Sequence, residues 1–230
     1  MKAVKQSELS KDVKKKKAKA APKLLKASET KKLGKAAEVK KLPKPNAKKI
    51  GKEEHKLLGV SPALAKKLKH SFKVKDPENA LLLILKDGNV LIEMHPDVAP
   101  NHVARLKELV RAEFYNGLKF HRVINGFMAQ TGCPHGTGTG GSGKKLKAEF
   151  SRNHHKRGTI SMARAMDPNS ADSQFFICFA DCSWLDGQYT IWGDVIEGME
   201  LIDQIKKGDG PNGTVSNPDE IIAIKVISDL

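Results

Sequence analysis

Hydrophobic residues in the last two-thirds of the chain are spaced so that they predict mostly short β-strands. The apolar run 80–86 and the run 90–94 flank Asp87-Gly88, a dipeptide that favours a tight hairpin turn. Residues 120–132 have the pattern of a strand, a turn and a second strand, with side chains alternating between two faces. Further strands are predicted at 159–163, 175–179, 189–193 and 221–227.

Two other segments have the 3.6-residue period of an amphipathic helix. The apolar stripe of the first consists of Val103, Leu106, Val110 and Phe114. Asn116-Gly117 would end this helix with a left-handed residue. The second helix is predicted over about 198–207, before Gly208. Many short strands with only two helices predict a mainly β fold, a closed antiparallel barrel with a helix covering each end.

The first third of the chain lacks this patterning. Residues 1–50 consist largely of Lys and Ala, and no aromatic residue precedes Phe72. We therefore expect a disordered or partly helical tail, because such a segment cannot bury enough apolar surface to fold. The chain divides into a Lys-rich N-terminal extension, 1–75, and a folded domain, 76–230.

One part of the extension has helical character. Ser61-Pro62 suits the start of a helix, since Ser caps free backbone N–H groups and Pro fits the first turn. Leu64, Ala65 and Leu68 follow at helical spacing. This pattern predicts a short helix over 61–70, and it leaves open whether that helix packs on the domain.

Charge separates the two parts further. The extension holds 25 lysines, no arginine and 6 acidic residues, so its net charge is +19. Because the whole chain carries +15, the domain carries −4. A lysine-rich arm binds polyanions through counterion release, without reading sequence. Nucleic acid or the ribosome and an anionic lipid surface all fit that requirement, and a solvated arm with no fixed partner is the alternative.

Cysteine usage points to a reducing compartment. Cys133, Cys178 and Cys182 are odd in number and lack a paired metal spacing, and Cys178 and Cys182 are interpreted as structural thiols rather than a redox pair. No apolar run has the length of a signal peptide, and none of 18 residues predicts a membrane span. We expect a cytoplasmic monomer, or a nuclear one if the host is eukaryotic.

Three residue sets resemble other sites but lack the context that those sites need. The candidate metal ligands are Cys133, His135, His154 and His155. Their spacing matches no common zinc pattern, so no metal is expected. The glycine-rich residues 136–143 fit a loop lying close to a ligand better than a nucleotide site, because no Gly-Lys-Ser/Thr helix follows. Ser161, Ser173 and His121 form no hydrolase motif.

Arg122 has an unusual environment within 120–132. It is a permanent cation between two apolar segments, and Phe127, Met128 and the amide of Gln130 follow within eight residues. Burying a guanidinium beside such side chains is costly unless it meets an acceptor or a ligand. On this stretch alone, an arginine that extends to water is an equal alternative.

Three sequence blocks, in a fixed order and spacing, favour the interpretation in which Arg122 meets a ligand. They are the stretch from Phe120-His121-Arg122 to Gly132, then Ser161-Met162-Ala163-Arg164-Ala165 with 169–177, and then Trp184-Leu185-Asp186-Gly187-Gln188-Tyr189. In this order and spacing, residues from about 79 to 230 resemble the cyclophilin family of peptidyl-prolyl cis-trans isomerases. The resemblance implies a closed eight-stranded antiparallel β-barrel capped by two α-helices. It also implies a site on the outer surface, because the interior is packed.

The resemblance assigns roles within that site. Arg122 would be the catalytic residue and would donate a hydrogen bond to the prolyl nitrogen. Gln130 would orient Arg122, and Ala163 with the backbone of Arg164 would hold the residues before proline. The substrate-binding residues would be His121, Phe127, Met128, Gln130, Ala163, Arg164, Gln174, Phe176, Trp184, Leu185 and Tyr189.

The implied reaction requires no cofactor, since rotation about an X–Pro bond neither makes nor breaks a covalent bond. The barrier is about 18–20 kcal/mol, and the uncatalysed flip takes tens of seconds or longer. Proline-containing peptides and unfolded proteins would be the substrates. The competing hypothesis, from a different functional class, is a nucleic-acid-binding protein whose barrel serves only as a peptide-binding module.

Several positions depart from the common family pattern. Arg164 stands where many members have Asn, Tyr189 where His is frequent, and Thr131 where Gly often follows the glutamine. The segment before Phe120 lacks an insertion that many eukaryotic members have, and in this respect the chain resembles bacterial members. Trp184 matches members that bind cyclosporin tightly, so a cyclosporin-type inhibitor is a candidate ligand.

Overall fold

The computed structural model describes residues 74–230. The strands are β1 (Ala80–Leu85), β2 (Gly88–Met94), β3 (Arg122–Ile124), β4 (Met128–Thr131), β5 (Thr159–Met162), β6 (Phe175–Cys178), β7 (Ile191–Glu197) and β8 (Ala223–Val226). Helix α1 (Pro100–Arg111) follows β2, and helix α2 (Met199–Gln204) follows β7. The predicted tail and the predicted helix over 61–70 lie outside the described residues.

All eight strands belong to one antiparallel sheet with the order β3–β4–β6–β5–β7–β2–β1–β8. The sheet curls so strongly that β3 meets the chain leading into β8. The Val123 N–H donates to the Gly213 carbonyl at 2.7 Å, and the Phe120 N–H donates to the Asp219 carbonyl at 2.9 Å. Helix α1 packs against β8, and α2 packs against β2.

The prediction of a mainly β fold with eight antiparallel strands and two helices is therefore confirmed. The strands themselves do not form a full ring, because within the described part of the chain β3 and β8 are not paired with each other. Residues 213–219 occupy the edge of β3 that a closing strand would need. The structure is a strongly curled half-barrel.

Aromatic side chains fill the interior of the curled sheet. Tyr115, Phe175 and Trp192 are each 1% exposed. Phe175 makes edge-to-face contacts with both others, at centroid distances of 5.6 Å to Tyr115 and 5.5 Å to Trp192. An interior packed in this way leaves no room for a substrate, so a binding site has to lie outside it.

Element ends differ most from the predictions at α1. The helix ends at Arg111, and Glu113 then adopts a left-handed conformation with φ of 58°. Phe114 reaches the core from the turn that follows rather than from the helix itself. Val103, Leu106 and Val110 are buried on the helix as predicted, and the apolar stripe continues past the last helical residue because a turn presents Phe114 to the same core.

The described residues include no helix that is both long and apolar enough to cross a membrane.

Candidate active site

Two rows of side chains cross three neighbouring strands on the outer face of the sheet. Arg122 of β3 is paired with Gln130 of β4, which is paired with Phe176 of β6. Since strand side chains alternate, the intervening residues Val123 and Ala129 point into the interior core. The predicted strand–turn–strand over 120–132 thus places a cation, an amide and an aromatic ring in one line.

The second row, Ile124, Met128 and Cys178, lies beside the first and is apolar. Met128 and Phe176 are 1% and 5% exposed, although they lie outside the main core. They form a small separate cluster with Cys178, Cys182 and Leu185. This cluster holds the floor of the site rigid, because its side chains are packed on all sides rather than standing free in solvent.

A pocket of about 170 Å³ opens above this cluster. It is lined by Arg122, Phe127, Met128, Gln130, Ala163, Arg164, Phe176, Leu185 and Tyr189. We call it the apolar pocket. Nine of the twelve residues proposed from sequence converge on it, and its volume suits a small apolar group such as a pyrrolidine ring.

A chain of hydrogen bonds fixes the half-buried Arg122 side chain at the pocket wall. Its Nη1 donates to Gln130 Oε1 at 3.1 Å, and its Nε donates to the Asn212 carbonyl at 2.9 Å. Gln130 Nε2 donates in turn to Gln174 Oε1 at 3.0 Å. Arg122 therefore does not extend freely to water. Within residues 74–230 its Nη2 has no hydrogen-bond partner, so that group remains able to donate to a ligand.

Phe176 is held from both sides. The Tyr189 ring meets it edge-to-face at 5.7 Å, and the buried His155 ring stacks behind it at 6.3 Å with an interplanar angle of 13°. The His155 ring is oriented by Asp186 at 2.9 Å and by Ser161 at 3.2 Å. The His155 backbone N–H, together with the rings of His155 and His154, lowers the pKa of Asp186 to about 2.

This buried His155–Asp186 pair was not anticipated from sequence. From sequence this histidine is a candidate metal ligand only, and its spacing to Asp186 matches no motif. Ser161, His155 and Asp186 are placed in the order of a hydrolytic triad, but Ser161 is 0% exposed and its hydroxyl donates to the Thr190 carbonyl at 2.8 Å. The hydroxyl cannot meet a substrate, so the three groups support the pocket wall.

Arg164 lies along the rim. Its guanidinium is 4.7 Å from the centre of the Tyr189 ring, a cation–π contact. Its Nε donates to the Gln188 carbonyl at 3.0 Å. The backbone N–H of Arg164 has no partner among the described residues, whereas the Ala163 N–H is bonded to the Gln174 carbonyl at 2.9 Å. The rim therefore presents, beside the apolar pocket, a backbone N–H that no described protein group accepts from.

A second pocket of about 280 Å³ adjoins the first, and the two share Gln130, Ala163 and Arg164 as walls. The glycine-rich loop forms its far side, so we call it the glycine-loop pocket. Gln174 Nε2 donates to the carbonyls of Gly138 and Gly140 at 2.9 and 2.8 Å, which ties the loop to the Arg122 chain. The prediction of a loop lying close to a ligand remains a prediction.

The other proposed residues have different surroundings. Trp184 is 59% exposed and stands outside both pockets, 5.7 Å from the Phe127 ring. His121 points to the opposite face from Arg122 and is 7% exposed, beneath Gly138. Within the described chain neither ring nitrogen of His121 has a hydrogen-bond partner, and burial lowers the pKa of His121.

The three thiols are buried and free. Burial raises the pKa of Cys178 and of Cys182, so both are poor nucleophiles. Residues 74–230 contain no group of three or more His, Cys, Asp or Glu side chains arranged to hold a metal ion. The chemistry on offer is thus a fixed cation beside an apolar pocket.

Comparison with known proteins agrees with this geometry. Residues 81–226 match the family model described as cyclophilin type peptidyl-prolyl cis-trans isomerase/CLD. A probable peptidyl-prolyl cis-trans isomerase of Brucella suis is 53% identical over 167 residues, which cover 67% of this chain and 85% of that protein. Peptidyl-prolyl cis-trans isomerase B of Bacillus subtilis is 44% identical over 129 residues, covering 55% and 90%.

Solved structures show the same relationship. A cyclophilin from Hirschia baltica superposes with a TM-score of 0.63 at 27% identity, covering 74% of this chain and 82% of that one. A Cryptosporidium parvum cyclophilin-type isomerase, crystallised in the presence of the dipeptide Ala-Pro, gives a TM-score of 0.59 at 28% identity, covering 64% and 98%. The chain belongs to the cyclophilin-type peptidyl-prolyl cis-trans isomerase family.

Proposed function

We propose that this chain accelerates X–Pro rotation during protein folding, with Arg122 as the hydrogen-bond donor to the prolyl nitrogen. The peptide bond resists rotation because the nitrogen lone pair is delocalised into the carbonyl. A donor aimed at the nitrogen holds that lone pair out of conjugation and so favours the twisted state. The observation that carries the proposal is the Arg122 guanidinium, which is fixed through Nε and Nη1 in the lining of the apolar pocket.

Two protein groups fix the guanidinium before any ligand arrives. Gln130 and the Asn212 carbonyl accept from different nitrogens, which prevents the side chain from rotating about its terminal bonds. Electrostatic stabilisation costs least when donors are already oriented. A lysine at this position would keep the charge but lose the planar arrangement that satisfies both acceptors and the substrate together.

One hydrogen bond is not sufficient by itself. A 10⁴-fold acceleration requires about 5.4 kcal/mol, whereas a hydrogen bond to a charged group contributes on the order of 1.5–3 kcal/mol. The remainder is assigned to the apolar pocket, which removes water from the proline ring and binds the twisted bond better than either planar isomer. Phe127, Met128, Phe176 and Leu185 would supply that surface.

The residues preceding proline would lie along the rim toward the glycine-loop pocket. Ala163 and Arg164 separate the two pockets, and the free N–H of Arg164 suits a substrate carbonyl. Proline-containing peptides and unfolded proteins are the proposed substrates. A coupled X–Pro peptide assay with Arg122→Ala tests the proposal, and near-full activity of that variant would refute it.

For the Lys-rich extension we propose a separate role, weak tethering to a polyanion such as nucleic acid or the ribosome. The support is the net charge of +19 over residues 1–75 against −4 over the domain. A cytoplasmic location and a monomeric state are proposed with it, and three free thiols favour a reducing compartment. A chain without measurable isomerase activity that still binds nucleic acid would instead support the peptide-binding rival.

A further inference from the structure

Strand β1 is buried on both of its faces. Leu81, Leu83 and Leu85 point into the main core. The alternate residues belong to a second cluster, which we call the outward apolar face and which consists of Ala80, Leu82, Ile84, Leu91, Ala223 and Ile227. Each of these six is between 0% and 6% exposed. An antiparallel strand with one side in water normally alternates apolar and polar residues, so this face is built to be covered.

The partly buried hydrophobic neighbours of that face lie at the first and the last of the described residues. Val74 and Leu230 are the partly buried hydrophobic residues of the described chain that pack against the outward apolar face. The turn Ile227–Asp229 covers the adjoining part of β1. Leu82 and Leu91 are directly paired across β1 and β2 within the face.

The preceding segment of the chain has a complementary apolar side. On a helix, Leu64, Leu68 and Phe72 follow one another at four-residue intervals and share one stripe. Lys66 and Lys67 fall on the other side of that helix. Twelve helical residues measure about 18 Å, and the six residues of β1 measure about 20 Å, so helix and strand are matched in length.

Chain continuity brings this segment to the right place. A single residue separates Phe72 from Val74, so their Cα atoms lie within about 7 Å of each other. Val74 itself packs against the outward apolar face. Charge agrees as well, because the exposed carboxylates of Glu93 and Glu197 flank Leu91, whereas residues 61–72 contain three lysines and no acidic residue. Lys225, which is paired with Leu82 on the other side, is neutralised by Glu113 at 2.6 Å.

We propose that residues 61–72 form a helix that packs Leu64, Leu68 and Phe72 onto the outward apolar face. The helix would complete the domain on the β1–β2–β8 side. None of Ala80, Leu82, Ile84, Leu91, Ala223 and Ile227 lines the apolar pocket that Arg122 borders.

The test uses the full chain with selectively methyl-labelled Ile, Leu and Val. Nuclear Overhauser contacts are expected between the methyl groups of Leu68 and those of Leu82 or Leu91. Leu64→Asp with Leu68→Asp should lower the melting temperature by roughly 5–10 °C. Isomerase activity at 10 °C should stay the same, because neither residue belongs to the apolar pocket.

Leu24→Asp with Leu25→Asp is the matched control, since it makes the same chemical change in the extension but outside the proposed helix. It should leave both the contacts and the melting temperature unchanged. Equal melting temperatures for the two double variants, or no contact between Leu68 and the face, would overturn the proposal. Contacts that appear only between differently labelled chains would also overturn it, because a second copy would then be the occupant.

Discussion

Gln130 links Arg122 to the glycine-rich loop through one amide group. Its Oε1 accepts from Arg122 Nη1 at 3.1 Å, and its Nε2 donates to Gln174 at 3.0 Å. Gln174 then donates to the Gly138 and Gly140 carbonyls. The orientation of the proposed catalytic cation therefore depends on a loop whose bonded glycines, Gly138 and Gly140, lie 16 and 18 residues after it in sequence, on the far side of the neighbouring pocket.

Removing the guanidinium should remove most of the catalysis. We expect Arg122→Ala to lower kcat/KM for an X–Pro peptide by roughly 100-fold or more, as loss of an oriented charge-stabilising donor does in other enzymes. Arg122→Lys should recover only a small part, because the ammonium cannot satisfy Gln130, Asn212 and the substrate together. Arg152→Ala is the control, since Arg152 is an exposed arginine outside both pockets. Circular dichroism should show unchanged folding in all three.

Loss of the orienting amide should have a smaller effect. Gln130→Ala leaves the cation in place but frees Nη1, so we expect kcat/KM to fall roughly tenfold, equivalent to about 1.4 kcal/mol. Gln174→Ala should lower kcat/KM less than Gln130→Ala does, because Gln174 acts on Arg122 only through Gln130. A Gln174→Ala loss equal to that of Arg122→Ala would contradict this order of dependence.

Arg164 should influence the preference among peptide sequences more than the rate of isomerisation. Its guanidinium is held on Tyr189 and on backbone carbonyls, and Lys145 also lines the glycine-loop pocket. These cations should favour an acidic residue shortly before proline. Arg164→Asn is expected to reduce the preference for acidic over neutral peptides several-fold, while changing kcat/KM for neutral peptides less than threefold. Equal losses on both peptide classes would argue for a direct catalytic role.

Two histidines should shift stability with pH in opposite directions. Burial lowers the pKa of His121 in the folded state, so the unfolded chain binds a proton first and stability falls as pH drops below about 6.5. Asp194, hydrogen-bonded to His95 at 2.8 Å, raises the pKa of His95 in the folded state. The stability that this ion pair adds is therefore present at low pH, and it is lost as the pH rises above 6.5 and passes the folded-state pKa of His95.

Urea unfolding between pH 5 and 8 measures both effects. His121→Asn should make the chain less sensitive to acid, because the group that must remain neutral is gone. His95→Asn should have the opposite effect and remove stability mainly at pH 5. If the two variants changed the pH slope in the same direction, the assigned environments would be wrong.

The extension should give binding to nucleic acid a steep dependence on salt. Each phosphate neutralised on single-stranded nucleic acid contributes about 0.7 to the slope of log K against log salt concentration. Replacing Lys14, Lys15, Lys16 and Lys17 by Glu in the full chain should reduce that slope by roughly 3 and leave isomerase activity unchanged. Substituting Lys86, Lys119, Lys144 and Lys225 of the domain in the same way provides the matched comparison.

The sequence alone determined the strand positions, the two helices and the split between a basic extension and a slightly acidic domain. It could do so because hydrophobic periodicity and charge are local properties. Arg122, Gln130 and the four apolar residues Phe127, Met128, Phe176 and Leu185 were identified for a related reason, since the strand–turn–strand and the family blocks fix their spacing.

Tertiary structure alone decided which of these residues meet. The Asn212 carbonyl that holds Arg122 lies ninety residues away, in a loop with no motif, and it is brought there because residues 213–219 bond to the edge of β3. The same loop keeps β3 and β8 apart, so the closed ring expected from strand count becomes a half-barrel. His155 behind Phe176 follows from packing as well, since ring stacking depends on distances that no sequence period encodes.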